Sequence, residues 1–357
     1  MKKVVYIVGA GATQAEVAHV GKPINLLMKS NDDLGYGVSK RVLDKAKTGK
    51  KSIRKLLDIE EEADIEKLIT LLAETGAKEN IEYAGILKEN YYEVIIGSIN
   101  EAGILHHPEL AVALLQMHKN SKFSGKEYCL GIISLNHDSL FQEASQTVHS
   151  CINLGFEFIA DDFNCRTEEK TPCLIQLHGS FSWRRHRVMH VVKIKAGDKY
   201  NPNMTWIPPS ILKETKDYPF NKLTGLAYEL LAECDILRIV GCSLSQNDWN
   251  LISLIFNAQN AQYKNSEKCF KIELIMDIDN FDSFKKGISY LKNVTPISQL
   301  EDGDFSEYKK PREERVKPSE LDNPFEFWLK TKIKFHISEG QFDIGTTEPP
   351  LKQIIGM

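Results

Sequence analysis

The stretch KKVVYIVGAGATQAEV, residues 2–17, decides the fold. Val4 to Val8 is a continuous apolar run rich in β-branched residues, the signature of a strand buried on both faces. It meets Gly9-Ala10-Gly11 and passes into a stretch of helix-compatible residues. A strand that turns into a helix through two glycines opens a doubly wound α/β unit. It also lets backbone N–H groups at the helix N-terminus approach a pyrophosphate. The sixth position of the G-x-G-x-x-G fingerprint is Gln14, however, where a dehydrogenase carries glycine. Taken alone, the turn is equally a tight corner.

Four more apolar runs repeat the pattern: Cys129 to Leu135, Cys173 to Leu177, Ile236 to Val240 and Ile272 to Met276. Before the third run, Leu223, Leu226, Ala227, Leu230 and Leu231 recur at helical spacing, giving a helix-then-strand unit. The fold class expected is α/β, a doubly wound, mostly parallel, Rossmann-like sheet. A dinucleotide domain reaches its second strand about 30 residues after the glycines. Here the next strand comes after position 125. IEKLITLLAE (65–74) has helical periodicity, and HPELAVALLQMH (107–118) places Pro108 at a first helical position. A helical subdomain inserted over about residues 38–122 is therefore expected within a catalytic domain spanning 1–299. Residues 300–324 are highly charged and poor in apolar side chains, which reads as a solvated linker. FEFWLKTKIKFHI (325–337) reads as a packed helix or strand, and the last twenty residues as loosely ordered. Residues 300–357 thus form a charged linker and C-terminal extension.

Bulk numbers exclude several classes. The chain has 357 residues, 42% hydrophobic and 26% charged, with a net charge of −4. That balance gives no general attraction to nucleic acid or to anionic membranes. No apolar run approaches the roughly 20 residues of a membrane span. The N-terminus lacks the apolar core of a signal peptide. The seven cysteines are odd in number and include no C-x-x-C pair, so neither a zinc ribbon nor a disulfide framework is indicated. They read as reduced buried thiols of a cytoplasmic protein.

Each apolar run ends in polar residues, which in an open parallel sheet face the ligand crevice. IISLNHDSL (132–140) ends in Ser134, Asn136, His137 and Asp138; an Asx turn capping the next helix is the simpler use of Asp138. CLIQLHGSFSW (173–183) ends in His178-Gly179-Ser180, a sterically open imidazole. ILRIVGCSLSQND (236–248) ends in Gly241, Ser243 and Asp248; the serine-hydrolase pattern G-x-S-x-G fails at Ser245. LIMDIDN (274–280) supplies Asp277, suited to a ribose hydroxyl or to a helix cap. His106, His107 and Glu109 have no recognised metal spacing. WRRHR (183–187) reads as a solvated basic face. Asp32 and Asp33 read as a polar loop, although they lie where a dinucleotide domain holds its ribose carboxylate.

The order strand–GAGAT, strand–SxNxD, strand–HGS, strand–GxSxxxxD resembles the sirtuin-like NAD-binding family, in islands from Val4 to about Asp279. The chain departs from protein-deacetylating sirtuins in two ways. Residues 13–37 contain no G-I-P-D-F-R-like segment, and the zinc cysteines of the acyl-lysine module are missing. It looks closer to divergent bacterial sirtuin-like effectors, whose family activity is NAD hydrolysis in anti-phage defence.

The resemblance implies NAD+ as substrate and no zinc or other metal. It implies Asn136 placing the ribose or the attacking water, His178 as general base, and Asp138 holding the Asn136 turn or the ribose. It places Gly9, Ala10, Gly11, Ala12 and Thr13 along the pyrophosphate, Ser134 at the nucleotide, and Gly241, Ser243 and Asp277 near the adenosine half. It also implies a homo-oligomer gated by assembly or by a partner, with an operon-encoded ATPase as one such partner by analogy. A non-catalytic NAD- or ADP-ribose-binding regulatory subunit, and a protein deacylase or ADP-ribosyltransferase, are the alternatives.

Overall fold

The computed structural model describes residues 1–28, 31–32, 35–48, 64–120, 127–161, 171–210, 213, 215–244, 246–266, 270–277 and 335–340. The expectations for 300–324, for 325–334, for the last residues and for Asp33, Cys165, Ser245 and Cys269 fall outside them.

The first strand, β1 (Lys2–Val8), is the centre of the molecule, and Val4 to Val8 are fully buried. Two short strands, β2 (Asn31–Asp32) and β3 (Gly35–Tyr36), form a small ribbon. β4 (Glu127–Ser134) and β10 (Ile236–Val240) pair with β1 on either side, both parallel. β6 (Cys173–Gln176) extends the sheet beyond β4, and β11 (Lys271–Asp277) extends it beyond β10, again in parallel. Only β12 (Phe335–Gly340), at the edge beside β11, runs antiparallel. The order β12-β11-β10-β1-β4-β6 is the mostly parallel α/β sheet expected. From β1 the chain builds outward through β4 and β6, then returns to β10 and β11 on the other side. The topological switch point, where such sheets open a ligand crevice, therefore lies at the carboxyl ends of β1 and β10.

Eight helices are described. α1 (Ala10–His19) follows β1 directly. α2 (Val38–Thr48), α3 (Ile65–Glu74) and α4 (Lys78–Ala102) come before β4 and share a second core. That core includes Val42, Leu43, Ile69, Leu87, Tyr92 and Ile99. α5 (Glu109–Lys119) packs instead on the sheet, through Leu110, Leu114 and Leu115. Pro108 is its N-cap, so the helix starts one residue later than the sequence suggests. Its first free amides, those of Leu110 and Ala111, donate to the Glu16 carboxylate of α1 at 3.0 and 2.7 Å. The buried Glu16 carboxyl group satisfies both amides and so locks α5 to α1. α6 (Leu140–His149), α7 (Phe220–Glu233) and α8 (Trp249–Ser266) complete the layers.

A second sheet was not foreseen. β5 (Ile159–Ala160), β8 (Met189–Val191), β7 (Gly179–Arg185) and β9 (Met204–Trp206) form a four-stranded layer, three strands of which follow His178 in the chain. Gly179 makes this possible: at φ +72° it leaves β6, and a Cβ there would lie 2.4 Å from the Thr205 carbonyl oxygen. Of the WRRHR stretch, Arg185, His186 and Arg187 are the exposed end of the β7–β8 hairpin, whereas Trp183 is buried in the core, against the solvated face expected.

Buried charge lies inside the main sheet. Arg238 on β10, 4% exposed, donates twice to Glu127 at 2.7 and 2.9 Å, to Glu273 at 2.6 Å and to the Tyr6 hydroxyl at 3.0 Å. A buried guanidinium stays ionised only with such a full set of acceptors. The network ties β4, β1, β10 and β11 together across one face. Five described cysteines, 129, 151, 173, 234 and 242, are free thiols.

Candidate active site

Gly9 to Thr13, Ser134 to Asp138, His178 and Gly241 to Ser243 all lie at the carboxyl ends of neighbouring parallel strands. The topology thus gathers nearly every residue singled out from the sequence. Asp277 ends β11, two strands away from β1, and its side chain lies outside the described set.

The glycine turn is interlocked with the end of β10. Gly9 N–H donates to Val240 O at 3.0 Å and Gly11 N–H to Gly241 O at 2.8 Å, while Ala12 N–H closes onto Gly9 O at 2.9 Å. The backbones approach so closely that a Cβ on Gly11 would meet Gly241 Cα at 2.7 Å. One on Gly241, whose φ is +55°, would meet Ala12 N at 2.3 Å. Glycine is required here for chain-to-chain contact. The amides of Gly9, Gly11 and Ala12, assigned from the sequence to a pyrophosphate, are engaged within the protein in this state; Ala10 is exposed at the first turn.

Gln14, the departure from the fingerprint, has its own work. Its Nε2 donates to Ile24 O at 2.9 Å and its Oε1 accepts from Leu26 N at 2.6 Å. It holds the returning segment flat against α1, a task no glycine performs.

The Asn136 side chain is fixed by two neighbours. Its Nδ2 donates to Gly9 O and to Thr13 Oγ1, both at 2.9 Å. A carbonyl only accepts, so the amide cannot be flipped. Thr13 Oγ1 passes its own hydrogen to Asp138 Oδ2 at 2.8 Å, and Asp138 Oδ1 accepts from Leu140 N at 3.1 Å. Asp138 is buried, and burial raises its pKa above the usual carboxylate range. Through these two bonds Asp138 ties the turn after β4 to α1 and to the first residue of α6. Both N–H groups of Asn136 are engaged, so the atom it offers a ligand is Oδ1, which no protein donor reaches among the described residues.

Ser134, also buried, accepts the Asn136 amide N–H through its Oγ at 3.2 Å. Ser243 is exposed at the rim of the same crevice.

His178 is half-buried. Its Nδ1 lies 3.3 Å from Leu135 O, so Nδ1 carries the hydrogen and Nε2 is the basic nitrogen. Burial first, and then the nearby Lys213 ammonium, push its pKa down to about 3, leaving the ring neutral at physiological pH. His137 looks similar in sequence but is structural. Its Nε2–H donates to Ile207 O at 2.8 Å, and its Nδ1 accepts from Tyr91 OH at 3.2 Å. It sits among Tyr91, Phe181 and Trp206.

A buried polar network beneath these loops was missed in the sequence. Gln176 Nε2 donates to Asp138 O at 2.9 Å, and its Oε1 accepts from Gln142 Nε2 at 2.6 Å. Gln142 Oε1 accepts from Ser182, and Ser180 joins Ser182 to His137 O. The available signal was Gln176 itself, a polar residue closing an otherwise apolar strand. Among the described residues no cluster of His, Cys, Asp or Glu is arranged to hold a metal ion, and no helix is long and apolar enough to cross a membrane.

No family model and no curated protein sequence matches the chain. Solved structures do resemble it. A Sir2 homologue mutant in complex with ADP-ribose is 12% identical, with 76% of this chain and 79% of that chain covered and a TM-score of 0.37. A Sir2 homologue–NAD complex is 13% identical, covering 71% of this chain and 73% of that one, with a TM-score of 0.34. Sir2 bound to an inhibitor, 2′-O-acetyl-ADP-ribose and a deacetylated peptide is 13% identical, covering 75% and 79%, with a TM-score of 0.33. At such scores the fold stands on the strand order of this chain itself, and these proteins are what it is similar to.

Proposed function

We propose that the protein hydrolyses the nicotinamide–ribose bond of NAD+, releasing nicotinamide and ADP-ribose. One observation carries this reading: among the described residues, Asn136 Oδ1 and His178 Nε2 at the switch point receive no protein donor, and both are acceptors. Acceptors suit ribose hydroxyls and water. They do not suit phosphate.

Cleavage passes through an oxocarbenium-like state at the ribose carbon. The C–N bond breaks, and its electron pair leaves with nicotinamide, which departs neutral. No strong acid is needed to expel it. Water then forms the new C–O bond and gives its proton to His178 Nε2, a general-base role worth about 10²–10⁴-fold in rate. Asn136 Oδ1 holds the water or a ribose hydroxyl, and Thr13 and Asp138 keep that amide in one orientation. Gly241 and Ser243, with Asp277, line the adenosine half. Residues 1–299 form the catalytic domain. An enzyme of this kind depletes its own cell unless gated, which supports activation by self-assembly or by a partner such as an ATPase, within cytoplasmic anti-phage defence.

The test is chromatographic detection of nicotinamide from NAD+, with wild type beside His178→Ala and Asn136→Ala. Release by wild type and its loss in both variants supports the reading; full rates in the variants overturn it. The interlock of Gly11 with Gly241 favours a second reading, a regulatory subunit that binds ADP-ribose-like ligands without turnover. Calorimetry showing tight NAD+ binding without consumption selects it.

A further inference from the structure

Lys213 lies between β9 and α7, and its side chain is 6% exposed. Its ammonium contacts Asp248 Oδ1 at 2.5 Å. Asp248 closes the short 3₁₀ turn, Gln246–Asp248, that follows β10. Asn250 just beyond donates to the Lys213 carbonyl at 3.4 Å, so side chain and backbone are both held. On its other side the same turn reaches the helical layer, where Asn247 Nδ2 donates to Glu66 Oε2 at the start of α3. A buried ammonium–carboxylate pair is costly to desolvate and adds little net stability over an apolar pair. Its position therefore calls for another reason. The turn that Lys213 holds directly follows β10, at the carboxyl end of a strand next to β1, and the Lys213 charge is one of the influences on His178, His137, Cys242 and Glu66.

We propose that Lys213 is a positioning residue of this site: paired to Asp248, it pins the turn after β10 against the strand ends that carry His178 and Asn136. The proposal rests on the NAD-hydrolysing reading for its purpose, but its geometry stands without it. Among the described residues the ammonium contacts Asp248 of the turn, and its charge is felt by Glu66 on α3, Cys242 at the end of β10, His137 after β4 and His178 after β6. The groups facing His178 are Lys213 and His137. The Lys213 charge disfavours the imidazolium of His178, so Nε2 stays unprotonated and gives up any proton it takes.

The experiment uses the full chain and three variants: Lys213→Met, Lys213→Arg and Asp248→Asn. Two readouts need no turnover: the NMR titration of ¹³C-labelled His178, and deuterium exchange of residues 241–251. In Lys213→Met, His178 titrates higher by about one pH unit, and exchange over 241–251 rises at least severalfold. Lys213→Arg, which keeps the charge, holds both near wild type. Asp248→Asn, which keeps the ammonium, raises exchange without raising the His178 pKa, and it decides the clamp if Lys213→Met does not fold. With NAD+, Lys213→Met lowers kcat more than it raises KM and moves the acid limb of the pH–rate profile upward. An unmoved His178 titration in Lys213→Met, or wild-type exchange in Asp248→Asn, overturns the proposal. Absence of nicotinamide release by wild type overturns only the hydrolytic reading, because titration and exchange still decide the role of Lys213.

Discussion

The amide of Gly11 donates to the carbonyl of Gly241 across 2.8 Å, joining the first turn of the chain to the end of β10. Substitution there separates close approach from mere flexibility. Gly241→Ala places a Cβ 2.3 Å from Ala12 N on a backbone at φ +55°. It costs about 2 kcal/mol or more, from left-handed strain plus forced separation. Gly225, exposed in α7 with open space around it, is the counterpart. Gly225→Ala stabilises by about 0.5–1 kcal/mol. Urea denaturation of both variants checks the opposite signs.

Thr13→Val removes the donor to Asp138 and the acceptor of Asn136 together. Leaving a buried carboxylate without that donor costs about 1–3 kcal/mol. Asn136 also loses one of its two anchors, so nicotinamide release falls even though Thr13 touches no reacting atom. Denaturant midpoints and kcat measured on the same preparation test both halves. Wild-type values in each would show that the Thr13 hydroxyl does not orient the site.

Glu16 gives a pH dependence with a definite sign. Burial outweighs its hydrogen bonds from Leu110 and Ala111 and raises its pKa to about 8. The folded chain then binds a proton at Glu16 more tightly than the unfolded chain does. That stability is present in full below the unfolded pKa near 4.5, and is lost as pH rises toward 8. Urea midpoints measured from pH 5 to 9 decline across this window in wild type. In Glu16→Gln, which does not ionise, this part of the decline disappears.

Gln176→Leu keeps the volume of the β6 side chain but leaves Asp138 O and Gln142 Nε2 without their shared amide partner. The cost is about 1–3 kcal/mol for unpaired buried groups. The 136–138 loop loses its support from below, so kcat falls with KM nearly unchanged. A KM effect alone would place Gln176 in binding rather than in support of the loop.

The strands were legible because strands covered on both faces are written as unbroken apolar runs, and β1, β4, β6, β10 and β11 are such runs. The site loops were legible for a related reason: polar residues that follow a buried strand sit at its carboxyl end, as Asn136 and His178 do. Short strands escaped this logic. β8 and β9 have three residues each, too few for a period to show. Lys213, Gln142 and Ser182 escaped because their roles depend on partners far off in sequence. Two breaks in the apolar runs did carry a warning. Arg238 within ILRIV and Gln176 within CLIQ are buried polar groups, and each proved to be the hub of a network.

β1 is flanked on one side by residues 127–134 and on the other by 236–240. A chain emerging from the ribosome therefore carries Asn136 and His178 before the opposite wall exists. Synthesis of the residues up to Gly241 takes on the order of several seconds more at ordinary elongation rates. Throughout that interval one edge of β1 is bare and the glycine corner has nothing to lean on. The crevice is thus a late product of translation: a half-made chain holds Asn136 and His178 without the wall that β10 supplies.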